Sequence, residues 1–92
     1  MNRVYLINLY DIYKNLLSDK EKNIFEDYYF EDLSLSEIAQ NLSVTRNAIF
    51  KTLKTVEEKI NNYEEKLNFY NKKENILKFL DNNEADKIRE IL

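Results

Sequence analysis

The side chains best suited to chemistry in this sequence are five polar ones in its central third. Thr45, Arg46 and Asn47 are consecutive, and Lys51 and Lys54 follow about one and two helical turns later. Arginine can bridge two acceptors on guanine, and asparagine can pair with adenine. Lysine neutralises phosphate groups, and a hydroxyl such as that of Thr45 also contacts the DNA backbone. These residue types predict a DNA-reading surface in which Arg46 and Asn47 contact bases.

Two helices joined by a tight turn would position these side chains. Ser34 and Glu37 fit a capping box that begins the first helix, and Thr45 is a favourable N-cap for the second. Ser43 takes the turn position where glycine would accept a positive φ at lower cost, and we expect Val44 to point inward as a plug. The inner faces of the two helices should bury Leu35, Ile38, Ala39 and Leu42, and Ala48, Ile49, Leu53 and Val56.

This arrangement predicts a helix-turn-helix over about residues 34–56, whose second helix enters the DNA major groove by its N-terminal end. Residues 41–56 carry three bases and no acid, although the whole chain has a net charge of −3. Residues 19–37 carry seven acids and two bases, which is −5. A chain that is acidic overall can still bind nucleic acid through a basic end, weakly and with salt dependence. The alternatives are a plain helical hairpin and an ordinary solvated acidic face.

The composition favours an all-α protein and excludes several kinds of site. The 92 residues include no Gly and no Pro, so hairpin turns and nucleotide-cradling loops lack their usual residues. Without His or Cys, zinc sites and catalysis by Cys or His are excluded. The glutamate pairs Glu57-Glu58 and Glu64-Glu65 are adjacent in sequence, so we interpret them as solvated helix faces. We expect no enzyme, no cofactor, no metal and no small-molecule substrate.

We expect one cytoplasmic domain over residues 1–92. The N-terminal stretch lacks the apolar run of a signal peptide, and no window is apolar for long enough to span a bilayer. The absence of Cys fits a reducing compartment. An apolar stripe predicts a first helix from about Arg3 to Leu17. A second capping box at Ser18 and Glu21 starts the next helix, which should end near Phe30.

The apolar residues beyond the predicted turn recur at alternating steps of four and three. These residues are Ile49, Leu53, Val56, Ile60, Tyr63, Leu67 and Tyr70. The spacing predicts a heptad seam on one long helix over about residues 45–80. Either the first helix folds back over this seam or a second chain covers it. We expect the second arrangement, a homodimer. Its interface would contain Ile60, Tyr63, Leu67 and Tyr70. Beyond a break at residues 81–83, a last short helix from Asn83 to Leu92 is predicted.

The stretch LLSDKEKNIFEDYYFEDLSLSEIAQNLSVTRNAIFKTL resembles region 4 of bacterial sigma factors. With the following VEEKINNYEEKLNFYNKKE it is similar to the YlxM family of small bacterial helix-turn-helix proteins. The resemblance implies an all-helical protein that regulates, or takes part in, the signal recognition particle (SRP) pathway, without catalytic residues. The start of the reading helix contacts promoter bases in sigma-like domains, and the matching positions here are Thr45, Arg46, Asn47, Phe50 and Lys51. Phe50 departs from the polar residue usual there, so it contacts either another helix or a thymine methyl group.

Two functions therefore stay open at this point. The first is a dimeric, DNA-binding regulatory protein that inserts the start of the second helix into the major groove. The alternative is an interaction module that keeps the helix-turn-helix as a scaffold and binds SRP protein, SRP RNA or another copy of itself. Both use the same residues, so the sequence does not choose between them.

Overall fold

Five helices make up the computed structural model, which describes residues 2–80. They are α1 (Arg3–Tyr13), α2 (Asp19–Tyr29), α3 (Leu35–Leu42), α4 (Arg46–Leu67) and α5 (Phe69–Phe79), with a 3-10 turn at Lys14–Leu16. All regular structure in these residues is helical, which confirms the predicted all-α helix-turn-helix architecture. No helix in the described part combines the length and the hydropathy of a membrane span. The predicted last helix from residue 83 lies outside the described residues.

Side-chain caps set the starts of the first three helices. The side chain of Asn2 accepts hydrogen bonds from two amides in the first turn of α1. Ser18 with Glu21, and Ser34 with Glu37, form the two complete capping boxes that the sequence predicts. Their serine oxygens accept from the glutamate amides at 3.1 and 3.0 Å. Each such cap stabilises its helix by about 0.5–2 kcal/mol.

Helix α4 carries both parts of the hydrophobic core. Its C-terminal half packs against α1 and α2 in a cluster of Leu6, Leu9, Tyr10, Tyr13, Leu17, Phe25, Val56 and Ile60. Its N-terminal half packs against α2 and α3 in a second cluster of Ile24, Ile38, Ala39, Ile49 and Leu53. The helix that presents the candidate DNA-reading side chains is therefore fixed in the core along most of its length.

The later part of the apolar seam, from Val56 onward, is packed inside the chain, mainly against α1. Ile60 is fully buried, and Tyr63 and Tyr70 pack against the same cluster. Leu67 keeps 37% of its surface exposed. Of the two covers considered for the seam, the described chain thus uses its own first helix. The prediction of Ile60 as a dimer contact is wrong, because α1 occupies the space beside it. A dimer formed through other residues stays a prediction.

The prediction of one helix over about residues 45–80 is also wrong, because α4 ends at Leu67 and α5 begins at Phe69. Asn68 between them has φ 58° and ψ 29°, the left-handed conformation. Asparagine enters this region more readily than most residues other than glycine. The Asn68 amide closes the end of α4 by donating to the Glu64 carbonyl at 2.8 Å. The turn lets α5 pack on α1 and does not extend the rod.

A buried carboxylate caps the start of α5. Glu64 Oε1 accepts from the Tyr13 hydroxyl at 2.5 Å and from the Tyr70 amide at 3.0 Å, while Oε2 accepts from the Asn71 amide at 3.2 Å. The Phe69 amide donates to the Tyr13 hydroxyl oxygen at 3.2 Å. Three first-turn amides of α5 that lack intrahelical partners are thereby satisfied. Glu64 is only 8% exposed, so its assignment to a solvated helix face is wrong.

Candidate nucleic-acid interface

The turn of the helix-turn-helix is a left-handed C-terminal cap on α3. Ser43 has φ 56° and ψ 42°, as the sequence leads one to expect at the glycine position. The Val44 amide donates to the Ala39 carbonyl at 3.0 Å, and the Ser43 amide donates to the Gln40 carbonyl at 3.3 Å. These two bonds form a Schellman motif, which holds the residue after the turn against the helix end. Val44 is 42% exposed, so the prediction that it points inward as a plug is wrong.

The apolar face of α3 is narrower than predicted. Ile38 and Ala39 are buried, and Leu35 is half-buried, but Leu42 is 46% exposed. The reason is the length of α3, which has eight residues and ends at Leu42. The last side chain therefore lies at the rim of the packed face, beside the turn.

The start of α4 follows the predicted geometry. Thr45 is extended at φ −81° and ψ 154°, and its Oγ1 accepts from the Ala48 amide at 3.1 Å. The first turn of α4 carries no acid. Unpaired amides and the helix dipole make such an end attractive to anions, phosphate included. The side-chain oxygen of Thr45 is already used in the cap. Any contact between Thr45 and a phosphate would therefore have to form while that cap stays in place.

Three of the predicted reading side chains are exposed and available. Arg46, Asn47 and Lys51 all lie on the solvent side of α4. Among the residues that the structure describes, neither Arg46 nor Lys51 forms an ion pair. Two cations and one amide are thus presented within the first two turns of the helix, and in residues 2–80 the cations have no ion pair to displace.

Lys54 stands in a different environment. Its Nζ lies 3.7 Å from Glu57 Oε2 and 5.6 Å from the centre of the Phe50 ring. Glu57 is itself anchored, because the Tyr29 hydroxyl donates to its Oε1 at 2.9 Å. Burial, followed by this bond to Glu57, raises the pKa of Tyr29 above its ordinary value of 10.0. A phosphate bound at Lys54 would therefore compete with a fixed carboxylate.

Phe50 lies at the side of the reading end. It is 44% exposed and forms one wall of a groove of 180 Å³. The other lining residues are Tyr28, Tyr29, Leu35, Leu53, Lys54 and Glu57. Phe50 thus lines this groove together with residues of α2 and α3. Its contact with another helix or with a thymine methyl group stays a prediction. The sequence analysis did not assign Glu57 to the site, although its three-residue spacing from Lys54 was a usable signal.

These side chains can bind a ligand through their charges and their hydrogen-bonding groups. Counting Glu57 with the three bases, Arg46, Lys51 and Lys54, gives the reading end a net charge of +2, one unit less than residues 41–56 alone. Within residues 2–80, no group of three acidic side chains lies close enough together to hold a metal ion. The arrangement is suited to binding a polyanion.

A capped helix, a left-handed turn and a second helix with exposed Arg, Asn and Lys define a helix-turn-helix protein. Residues 1–91 match the family UPF0122, whose description is "Putative helix-turn-helix protein, YlxM / p13 like". The chain belongs to this family, which confirms the resemblance to YlxM proteins.

Several individual proteins of this family are similar to this chain over most of their length. A UPF0122 protein of Clostridium kluyveri is 39% identical over 97 aligned residues, which cover 98% of this chain and 87% of the relative. A UPF0122 protein of Malacoplasma penetrans is 44% identical over 86 residues, covering 89% and 80%. One from Thermoanaerobacter pseudethanolicus is 38% identical over 87 residues, covering 95% and 70%. These names state the family and no ligand.

Proposed function

We propose that this protein is a regulatory DNA-binding protein that inserts the start of α4 into the major groove. The observation that carries this proposal is the exposure of Arg46, Asn47 and Lys51 at a capped helix start, with no ion-pair partner for the two cations among the described residues. In a helix-turn-helix the N-terminal residues of the second helix meet the base edges, and the first helix crosses the backbone. Helix α4 would then be the reading helix, and α3 would lie across the phosphates.

The positions along α4 suggest separate roles for these side chains. Arg46 and Asn47 are the first two helical residues and would contact bases, the arginine on guanine and the asparagine on adenine. Lys51 lies five residues beyond Arg46, about 7.5 Å along the helix axis, and this position suits a phosphate at the groove edge. Thr45 and Lys54 would add backbone contacts, weakened by the cap in one case and by Glu57 in the other.

The electrostatics favour weak, salt-dependent binding. The reading end carries about +2 in a chain of net charge −3. Each phosphate contact lowers the slope of log K against log salt by about 0.9. With two or three such contacts, affinity would rest on base contacts and on low salt more than on overall attraction.

The experiment is a selection of bound duplexes from a random pool at two salt concentrations. Arg46→Ala should lose about 1–3 kcal/mol of affinity for the selected sequence and relax the preference at one base pair. Lys51→Ala should weaken binding to all sequences alike and reduce the salt slope by about 0.9. Lys66→Ala is the matched control, because Lys66 is an exposed lysine of the same helix about 22 Å further along its axis. Absence of duplex binding even at about 50 mM salt would overturn the proposal.

A second candidate is an interaction module for the signal recognition particle. The groove beside Phe50 is the observation that favours it, since an apolar wall next to a basic helix start suits a protein or RNA partner. The YlxM resemblance is what suggests the particle. Titration of the fluorescently labelled chain with purified SRP protein and with SRP RNA tests this candidate. Tighter binding to either one than to any selected duplex would replace the DNA proposal, and Phe50→Ala should weaken that binding.

A further inference from the structure

We propose that two copies of this chain exchange α5, so that α4 and α5 straighten into one helix and each α5 packs on the partner's α1. The partner is thus a second copy of the chain, and its docking surface is the face of α1 that α5 covers in the described form. The exchange takes place at the junction around Asn68 and does not depend on nucleic-acid binding.

The sequence is compatible with a straight junction. The apolar steps of four and three run from Ile49 to Tyr70 without a change of phase at Asn68. A strict repeat of this kind keeps one face of a continuous helix apolar. The bend is therefore not imposed by a Gly, a Pro or a slip in periodicity. A single non-glycine residue in the left-handed region, at φ 58°, makes it.

The junction has two ways to satisfy its hydrogen bonds. In the bent form the amides of Phe69, Tyr70 and Asn71 donate to Tyr13 and Glu64. In a continuous helix the same amides would donate to carbonyls four residues earlier in α4. Straightening would leave no amide unpaired and would relieve the left-handed residue. It would also remove two amide donors from the buried Glu64 carboxylate. The hydrogen bonds from these two donors hold the junction in the bent form at low concentration.

The aromatic contacts that seat α5 can be made between chains. The Tyr70 ring stands edge-on to the Tyr5 ring at 5.1 Å, and the Phe69 ring stacks on the Tyr13 ring at 6.2 Å between centroids. Both contacts join α5 to α1, two elements at opposite ends of the described chain. A second copy can supply the same α5 to the same face, which is how domain swapping forms a dimer at low cost. Leu67, 37% exposed beside the hinge, would gain cover where the two helices cross.

The experiment compares Asn68→Ala with Asn68→Gly. Alanine favours the helix and resists the left-handed region, while glycine accepts it freely. Light scattering over a range of protein concentrations should give Asn68→Ala a mass of twice 11.2 kDa at concentrations where Asn68→Gly has 11.2 kDa. The monomer–dimer equilibria of the two variants should differ by about 5- to 30-fold per hinge.

A cross-link separates exchange from ordinary association. Asn8 and Glu74 line one cleft between α1 and α5, and the sequence has no native cysteine. With Asn8→Cys and Glu74→Cys introduced together, a short bismaleimide reagent should join two chains in the Asn68→Ala dimer and one chain to itself in Asn68→Gly. Asn68→Ala that stays monomeric, or a dimer cross-linked only within each chain, would overturn the proposal. If circular dichroism shows that Asn68→Ala is unfolded, the mass and the cross-linking pattern are measured on the Asn68 chain at its highest soluble concentration. A monomer, or a dimer cross-linked only within each chain, would then overturn the proposal.

Discussion

The hydroxyl of Tyr13 joins three helices, and its removal should cost a large part of the stability of the fold. The oxygen donates to Glu64 of α4 and accepts from the Phe69 amide of α5, and Tyr13 itself is 1% exposed. Tyr13→Phe keeps the ring and its packing but deletes both hydrogen bonds. The carboxylate keeps its two amide donors, so the substitution weakens the cap and does not strip it.

The magnitude follows from the two lost bonds. A hydrogen bond to a charged group contributes about 1.5–3 kcal/mol, and a buried donor left without a partner costs about 1–3 kcal/mol. Phe69 is half exposed, so water replaces part of the second loss. We expect the free energy of unfolding to fall by about 2–3 kcal/mol, which for a domain of this size lowers Tm by roughly 8–24 °C. Burial and the hydrogen bond to Glu64 raise the pKa of Tyr13 to about 12, although the bond from the Phe69 amide acts in the opposite direction.

Urea and thermal unfolding followed by circular dichroism measure this loss. Tyr63→Phe is the matched control, because the one hydrogen bond of the Tyr63 hydroxyl within the described residues is to the Leu16 carbonyl at 3.5 Å. Its loss should cost under about 0.5 kcal/mol. Since the pKa of Tyr13 is raised on folding, its contribution is complete below pH 10 and is lost as the pH rises toward 12. Equal destabilisation by the two substitutions would refute the role assigned to the Tyr13 oxygen.

Two further substitutions test single charges. Partial burial raises the pKa of Glu21, but hydrogen bonds from Lys59 and Ser18 outweigh this effect and hold that pKa below 4.5. The ionised Glu21 side chain therefore stabilises the fold above pH 4.5, and this contribution is lost as the pH falls below that value. The difference in unfolding free energy between wild type and Glu21→Gln should therefore shrink between about pH 6 and pH 3, and a constant difference in urea titrations would contradict this. Glu57→Gln keeps an acceptor for Tyr29 and removes the charge beside the reading end, so duplex affinity measured by fluorescence anisotropy should rise about two- to fivefold at low salt. Unchanged affinity there would exclude an inhibitory role for Glu57.

The starts of the helices were predictable because their signals are local. Ser18, Ser34 and Thr45 each bond to an amide three residues further along, so a short window of sequence contains the whole interaction. The left-handed turn at Ser43 was predictable for a similar reason, since it lies between two amphipathic segments. These positions fix the helix-turn-helix, and they are the part of the fold that the sequence determines most directly.

The end of α4 was not predictable from periodicity. The amide of Phe69 is bonded to Tyr13, 56 positions earlier in the chain, and no short window contains that pair. The heptad steps identify a row of apolar residues, but they do not identify the helix that covers this row. Ile60 was therefore assigned to a second chain, whereas α1 covers it. Long-range packing also decided that Glu64 is buried.

The candidate site shows the same division between local and distant signals. The exposure of Arg46, Asn47 and Lys51 follows from helical spacing alone and agrees with the structure. The environment of Lys54 does not, because the Tyr29 side chain that anchors Glu57 comes from α2, 28 positions away. Local spacing thus identified which cations face solvent, and tertiary contacts decided how free one of them is.

Net charge is a poor guide to binding here because α4 separates its charges along a rigid rod. The helix has 22 residues, about 33 Å, and its first half is held by α2 and α3 while its second half is held by α1. Glu64 lies 18 positions beyond Arg46, about 27 Å along the axis, which exceeds the screening length of about 8–10 Å near physiological salt. Glu57, 3.7 Å from Lys54, lies close enough to offset the basic end. Changes at the α4–α5 junction should consequently alter stability and self-association without altering the surface that Arg46 and Lys51 present.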